Sequence, residues 1–272
     1  MKWKNNKLIL PILCFIILVI LYIDNNYIFK KIKLEKKCNE SILRIAEMNN
    51  EPTFKISKII KYSSAETIDN SLKQDLQDIN IHQYSDLAIY IDNMSDELTE
   101  KNTVKELYLD NFKINVKYKK GSQELYYKNP FDISKFRLID ENKIKDTLKY
   151  NIIHTNDENT ENIYSNPTFY TDCSNPITIE FVNQNIVSNY KVTKNNEIIS
   201  SDGRIFNNID INLEELSPKI SFMIHIKNNL DEEYICNVLC DFDLETSEGS
   251  IKSGYIIQIT NDLSQYNFFR IK

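Results

Sequence analysis

Glycine is scarce in this 272-residue chain, with only Gly121, Gly203, Gly249 and Gly254 present. A backbone cradle for phosphate needs clustered glycines where the chain approaches the anion closely, and these four supply no such motif. Nucleophile elbows and paired-histidine zinc motifs are missing as well. The three histidines, His82, His154 and His225, lie far apart without a motif partner and read as surface residues. Five cysteines at scattered positions, Cys14, Cys38, Cys173, Cys236 and Cys240, form no disulfide framework. No catalytic, cofactor-binding or metal residue is therefore assigned. A site assembled from scattered residues is not excluded.

Basic excess is missing from most of the chain. Residues 1–49 carry nine Lys/Arg against four Asp/Glu, leaving 24 against 35 in the remainder, a balance of −11. So acidic a domain repels phosphate backbones, which argues against nucleic acid as its partner.

What is abundant is Ile, Asn, Lys and Tyr, a bias that resembles the amino-acid usage of an AT-rich bacterial genome. Branched and aromatic side chains favour a pleated, half-buried surface, so the composition leans towards strands. One long apolar run stands out, KLILPILCFIILVILYI, in which residues 8–23 carry no charge. Sixteen residues fall short of the roughly 20 that a bilayer core requires. Continued past Asp24-Asn25-Asn26 to Tyr27-Ile28-Phe29, the run becomes long enough, with its tyrosines at interfacial depth. A cleaved signal peptide would need small residues where Tyr22, Ile23 and Asp24 stand. Cys14, with Leu13 before it, does not fit a lipoprotein signal. A buried core helix is a poor match for a run flanked by Lys2, Lys4 and Lys7. Residues 1–29 thus read as a cytoplasmic tail and an uncleaved single-pass transmembrane anchor, with residues 8–29 meeting the membrane.

Lysines flank both ends of the run, since Lys30, Lys31, Lys33, Lys36 and Lys37 follow it, so the positive-inside rule is nearly balanced. A short, highly charged tail is hard to translocate, and this places the main domain outside the cytoplasm. The opposite topology makes the chain a cytoplasmic membrane-tethered adaptor whose lysines meet anionic lipid.

Ile28, Ile32, Cys38, Ile42 and Ile45 recur at helical spacing, giving a juxtamembrane helical stalk over residues 30–50 that stops before Pro52. A second helix is expected over residues 65–78. Its signals are the capping-box pattern Ser63-Ser64-Ala65-Glu66 and the stripe Ile68, Leu72, Leu76, Ile79.

The rest alternates at period two. Leu87, Ile89 and Ile91 share one face, and so do Phe112, Ile114 and Val116. Leu107 and Leu109 have the opposite parity to the latter, so Asp110-Asn111 must hold a bulge or bend. Lys120-Gly121-Ser122 reads as a hairpin turn, residues 130–166 as a long loop or linker, and Asp202-Gly203 as a tight turn. Ile209, Ile211 and Leu213 read as a strand, as do Ile220, Phe222, Ile224 and Ile226. Residues 250–260 and 266–271 form a last strand pair. LAIYIDN and FMIHIKN echo each other faintly, which fits two related sandwich domains but is better read as the likeness that Ile-rich hairpins share by patterning alone. The expected fold is mainly β, an antiparallel β-sandwich-like domain over residues 51–272 with one or two helices behind the anchor and stalk. Residues 51–130 and 167–272 are candidate halves.

YICNVLCDFDL invites a metal or redox reading, but Tyr234, Cys236, Val238, Cys240, Phe242 and Leu244 alternate as a strand. At about 3.3 Å per residue the two cysteines stand roughly 13 Å apart, beyond disulfide reach and too far to grip one zinc. Both are expected in the core, with Cys173 left as a partner for either one. Asp241 and Asp243 share a face and read as a solvated acidic rim. They are also the carboxylates available to a second functional class, an envelope hydrolase. The leading expectation is a membrane-anchored, extracytoplasmic binding or assembly module with no cofactor assigned.

Overall fold

The computed structural model describes Lys30, Lys33 and residues 52–69, 76–130, 140–154, 166–193 and 200–271. The expected anchor over residues 8–29 and most of the stalk lie outside these residues. Among the described residues no helix is long and apolar enough to cross a membrane. The chain divides into two units, Met1–Asn50 and Glu51–Lys272.

The second unit is mainly β. Its strands are β1 (Phe54–Asp69), β2 (Leu76–Asn93), β3 (Val104–Asn115), β4 (Ser122–Tyr127), β5 (Leu148–Ile153), β6 (Thr168–Tyr170) and β7 (Ile177–Thr193). After a single helical turn, α1 (Leu213–Leu216), come β8 (Lys219–Asn228), β9 (Glu233–Asp241), β10 (Glu245–Thr246), β11 (Gly249–Ser250), β12 (Tyr255–Ile259) and β13 (Phe269–Arg270). They build a five-stranded sheet in the order β12-β1-β2-β7-β4 and a six-stranded sheet in the order β13-β9-β8-β3-β5-β6, with β10-β11 as a small hairpin. All pairs are antiparallel except β5–β6. Strands from before residue 130 and after residue 167 are interleaved in both sheets.

The alternation seen in sequence is the cause of the layering. Ile59, Leu87, Ile89, Ile179 and Phe181 on one sheet and Leu107, Leu109, Phe222, Ile224, Cys236 and Val238 on the other are buried in one shared core. Such two-sheet packing is how an antiparallel sheet covers its apolar face. Asn111 adopts a left-handed φ of 55°, and the β3–β8 register slips between Asp110 and Lys113. The bulge expected from the parity change is therefore present.

Several local expectations are overturned. Residues 65–69 and 76–78 are strand, not helix. Ser63 bonds Ser85 Oγ at 2.7 Å and Ser64 donates to the Gly254 carbonyl at 2.7 Å, so neither caps a helix. The register Thr67↔Ile81 and Ile68↔Asn80 carries the β1–β2 pair past the main core. There Ala65, Ile79 and Ile81 are buried with Phe206, Leu213 and Leu216 in a second cluster. Burial under that segment outweighs the helical stripe, whose Ile68 is left exposed.

Ile209, Ile211 and Leu213 do not form a strand. Asp202 and Asn212 accept from backbone N–H groups and cap a 3-10 turn (Gly203–Asn207) and α1. Part of the expected linker at 130–166 is β5, whose Tyr150 sits opposite Leu107. Gly121, at φ 92°, turns the chain from one sheet to the other, because β4 pairs with β7 and β3 does not. The two C-terminal strands go to different sheets as well, β12 to β1 and β13 to β9. LAIYIDN and FMIHIKN likewise lie in β2 and β8, one in each sheet.

Gly203 closes the second cluster. Its N–H donates to Gly254 O at 2.9 Å, and a Cβ there would press on the Ile251 carbonyl and stand 2.7 Å from Gly254 O. Gly203→Ala should lower stability by about 2 kcal/mol, the usual cost of overpacking. Gly249→Ala, where a Cβ meets nothing within 4 Å, should leave the urea midpoint unchanged.

Candidate functional site

Because Leu87, Ile89 and Ile179 face the core, their neighbours Asp86, Ala88, Thr178 and Glu180 must face outward on the five-stranded sheet. The register sets Asp86 directly opposite Glu180 and Tyr62 beside Asp86. Two carboxylates opposite each other repel, unless a proton or a cation intervenes. Lys128, just beyond β4, supplies the cation. It pairs with Asp86 and stands 4.0 Å from Glu180 Oε1, while Thr178 Oγ1 donates to the Lys128 carbonyl and fixes its backbone.

Glu180 is 3% exposed. Burial first, and then the Asp86 charge, push its carboxyl up to about 8, with Lys128 opposing both. Burial also raises Asp86, which Lys128 partly offsets. Burial alone would lower the Lys128 amine, but Asp86 and then Glu180 outweigh it and hold it above its ordinary value. At neutral pH Glu180 thus keeps its proton and Lys128 is an ammonium. Beside it Ile60, Tyr62, Asp86, Ala88, Lys128 and Pro130 line part of a hollow of about 160 Å³.

Nearer the edge, the same face turns aromatic and apolar. Tyr62 lies between Tyr84 and Tyr255, with ring centroids 6.0 and 5.6 Å away. Tyr255, Ile257 and Ile259 on β12 are 56, 55 and 53% exposed. Among the described residues no strand pairs with the outer side of β12. A groove of about 800 Å³ runs along β12, bounded by Thr246, Glu248 and Gly249 of the β10–β11 hairpin.

The residues singled out in the sequence fare differently. Cys236 and Cys240 point into the core opposite Ile224 and Ile220, as the alternation requires. Cys173, Cys236 and Cys240 are all free. β6, which leads to Cys173, is four strand spacings from β9, about 19 Å. Burial pushes all three thiols up to about 12, with nearby Asp172 adding to this at Cys173.

Asp241 pairs with Lys219 at 2.5 Å, and with Asp243 it lines a shallow groove that also holds the Lys117–Glu214 pair. Lysines therefore balance this rim, and it does not concentrate acid. The histidine expectation fails at two of three positions. His154 is exposed, but His82 is buried, and burial holds its imidazole below the ordinary value. His225 stacks on Tyr108 at 4.3 Å, with Nε2 3.1 Å from Asp110 and Nδ1 3.6 Å from Glu233.

Neither Asp86, Glu180, Lys128 nor the Tyr62 row was singled out in the sequence. The available signal was a charged residue on the polar side of a strand whose flanks are both apolar, as in Ile-Glu-Phe at 179–181. No family model matches the chain, nor does a curated protein or a solved structure.

Glu180 carries a proton in the folded state that an ordinary glutamate loses near 4.5. Stability from this group should be greatest at low pH and fall as pH rises from about 4.5 to 8, by up to about 1.4 kcal/mol per unit. Urea titrations across that window should show the slope in the parent chain and little of it in Glu180→Gln. Lys128→Met, which strands a buried carboxylate, should cost about 3 kcal/mol at pH 8 and less at pH 5. Thiol reactivity gives a separate check. With Cys14 and Cys38 changed to Ser, Cys173, Cys236 and Cys240 should resist DTNB in the native protein and react on unfolding.

Proposed function

We propose that the chain is a membrane-anchored binding or assembly module that presents its β-rich domain outside the cytoplasm. The apolar run at residues 8–23, taken up again at residues 27–29, supports the anchor. The observation that carries the binding role is the β12 edge. Its three outward side chains are all more than half exposed, and Tyr255 among them continues the row Tyr84–Tyr62–Tyr255. Exposed apolar residues gathered on one strand, where sheets normally place lysine or proline, mark an interaction surface.

A second reading, an envelope hydrolase, draws on the proton that Glu180 holds to about 8 beside Asp86, a suitable value for a general acid near neutral pH. The adjoining hollow of about 160 Å³ is below the usual 300–1,000 Å³ of ligand sites. Binding is therefore placed first.

A photo-crosslinking amino acid at position 257 of the full chain in its membrane should give discrete adducts. The same group at exposed Leu239, on the other sheet, should not. Ile259→Lys should abolish the adducts. Capture at 239 equal to that at 257, or none at 257, would remove the binding role from this edge.

A further inference from the structure

Among the sheet edges, β12 differs from the rest. β13 and β6 span two and three residues. β4 is occupied by a bridge from Tyr126 to Lys143 and by the Ile144 N–H bond to Leu125 O at 2.8 Å. β12 reads Tyr-Ile-Ile-Gln-Ile, with no charge, no proline and no bulge. Among the described residues no charge, proline, bulge or paired strand guards this edge, and the β10–β11 hairpin flanks it across a groove.

The phase of its ladder follows from one bond. Thr260 N–H donates to Ile59 O at 3.0 Å, so Ile60↔Ile259 is a non-hydrogen-bonded pair. Alternation then makes Lys61↔Gln258 and Ser63↔Ile256 the hydrogen-bonded pairs. Gln258 and Ile256 thus commit their backbone groups to β1. Tyr255, Ile257 and Ile259 direct theirs at the open edge, and the same three residues carry the exposed side chains.

We propose that β12 pairs antiparallel with β12 of a second copy of this chain, about a twofold axis at Ile257. The inference rests on the binding reading above and names its partner. That register sets Ile257 opposite Ile257, and Tyr255 opposite Ile259 of the second copy. All three outward-facing residues then fall in hydrogen-bonded pairs, each exchanging both N–H···O bonds. Their side chains form Ile–Ile and Tyr–Ile contacts on the outer face, the latter an aromatic–β-branched cross-strand pair of the kind that stabilises sheets. Ile256 meets Gln258 on the other face. A shift of one residue would set backbone groups already bonded to β1 against the second copy.

The edge itself sets no charge against a second copy. The chain beyond residue 49 has a balance of −11, so two copies repel over most of their surfaces. An uncharged strand lets them meet without placing like charges opposite each other. A groove of about 800 Å³ separates β12 from the β10–β11 hairpin, and the second copy's strand would enter along it. A five-residue strand contact falls below the roughly 1,200 Å² of a stable soluble complex, so association is weak in dilute solution. Anchoring both copies in one membrane raises their effective concentration and makes it strong.

Disulfide trapping reads the register. In the full chain, with Cys14 and Cys38 changed to Ser and reconstituted in vesicles, Ile257→Cys should oxidise to a dimer. A hydrogen-bonded pair sets its Cα atoms about 5.5 Å apart, within disulfide range. Ile259→Cys alone and Tyr255→Cys alone should stay monomeric, because each is then about 13 Å from its counterpart. Mixed together, those two variants should crosslink. No dimer from Ile257→Cys, or equal dimer from all three single variants, overturns the proposal. The photo-adduct at position 257 separates the two levels. Twice the chain mass supports self-pairing, another mass keeps the binding role but removes the second copy, and no adduct removes both.

Discussion

Cross-strand register along β1, β2 and β7 is the constraint on which the rest of the structure depends. In a strand, one residue of slip exchanges the two faces completely. With Leu87 opposite Ile179 and Ile59 opposite Ile89, the inner face closes over the six-stranded sheet. The same register fixes everything outside. It brings Asp86 against Glu180, sets Tyr62 between Tyr84 and Tyr255, and lays the side chains of Ile257 and Ile259 on the outer surface. Core and candidate site follow from a single alignment seen from its two sides.

That alignment carries an electrostatic cost at its centre. Glu180 is buried opposite Asp86, and Lys128 provides one positive charge for two acids. The lowest-energy arrangement keeps a proton on the pair, which is why burial and like charge together raise Glu180 to about 8. The cluster ties β2, β7 and the segment after β4 into one network. Towards β12 the charge gives way to tyrosine and isoleucine, so one face passes from a buried polar network to an open apolar edge.

Much of the sandwich was legible in the sequence, because alternation is a local signal. Tyr234 to Leu244 could be placed as a core strand, its cysteines inward, by counting parity. The bulge at Asp110-Asn111 was visible as a change of phase. The stretch at residues 65–78 was misleading because Ile68, Leu72, Leu76 and Ile79 fit a helical stripe, while Phe206, Leu213 and Leu216, which share a core with the strand residues Ala65 and Ile79, are far along the chain. Asp86, Glu180 and Lys128 escaped notice for the same reason. Each is an ordinary charged residue until pairing sets them side by side.

The sequence by itself determined the acidic balance, the apolar run at residues 8–23, the scarcity of glycine that leaves no phosphate cradle, and the faces of most strands. These depend on composition or on residues two apart. Only the tertiary structure decided which strands are neighbours, and so which edge is left open and which carboxylates share a proton. Pairing is a long-range choice, made where apolar faces separated by up to two hundred residues bury one another best, and a local pattern carries no record of its partner.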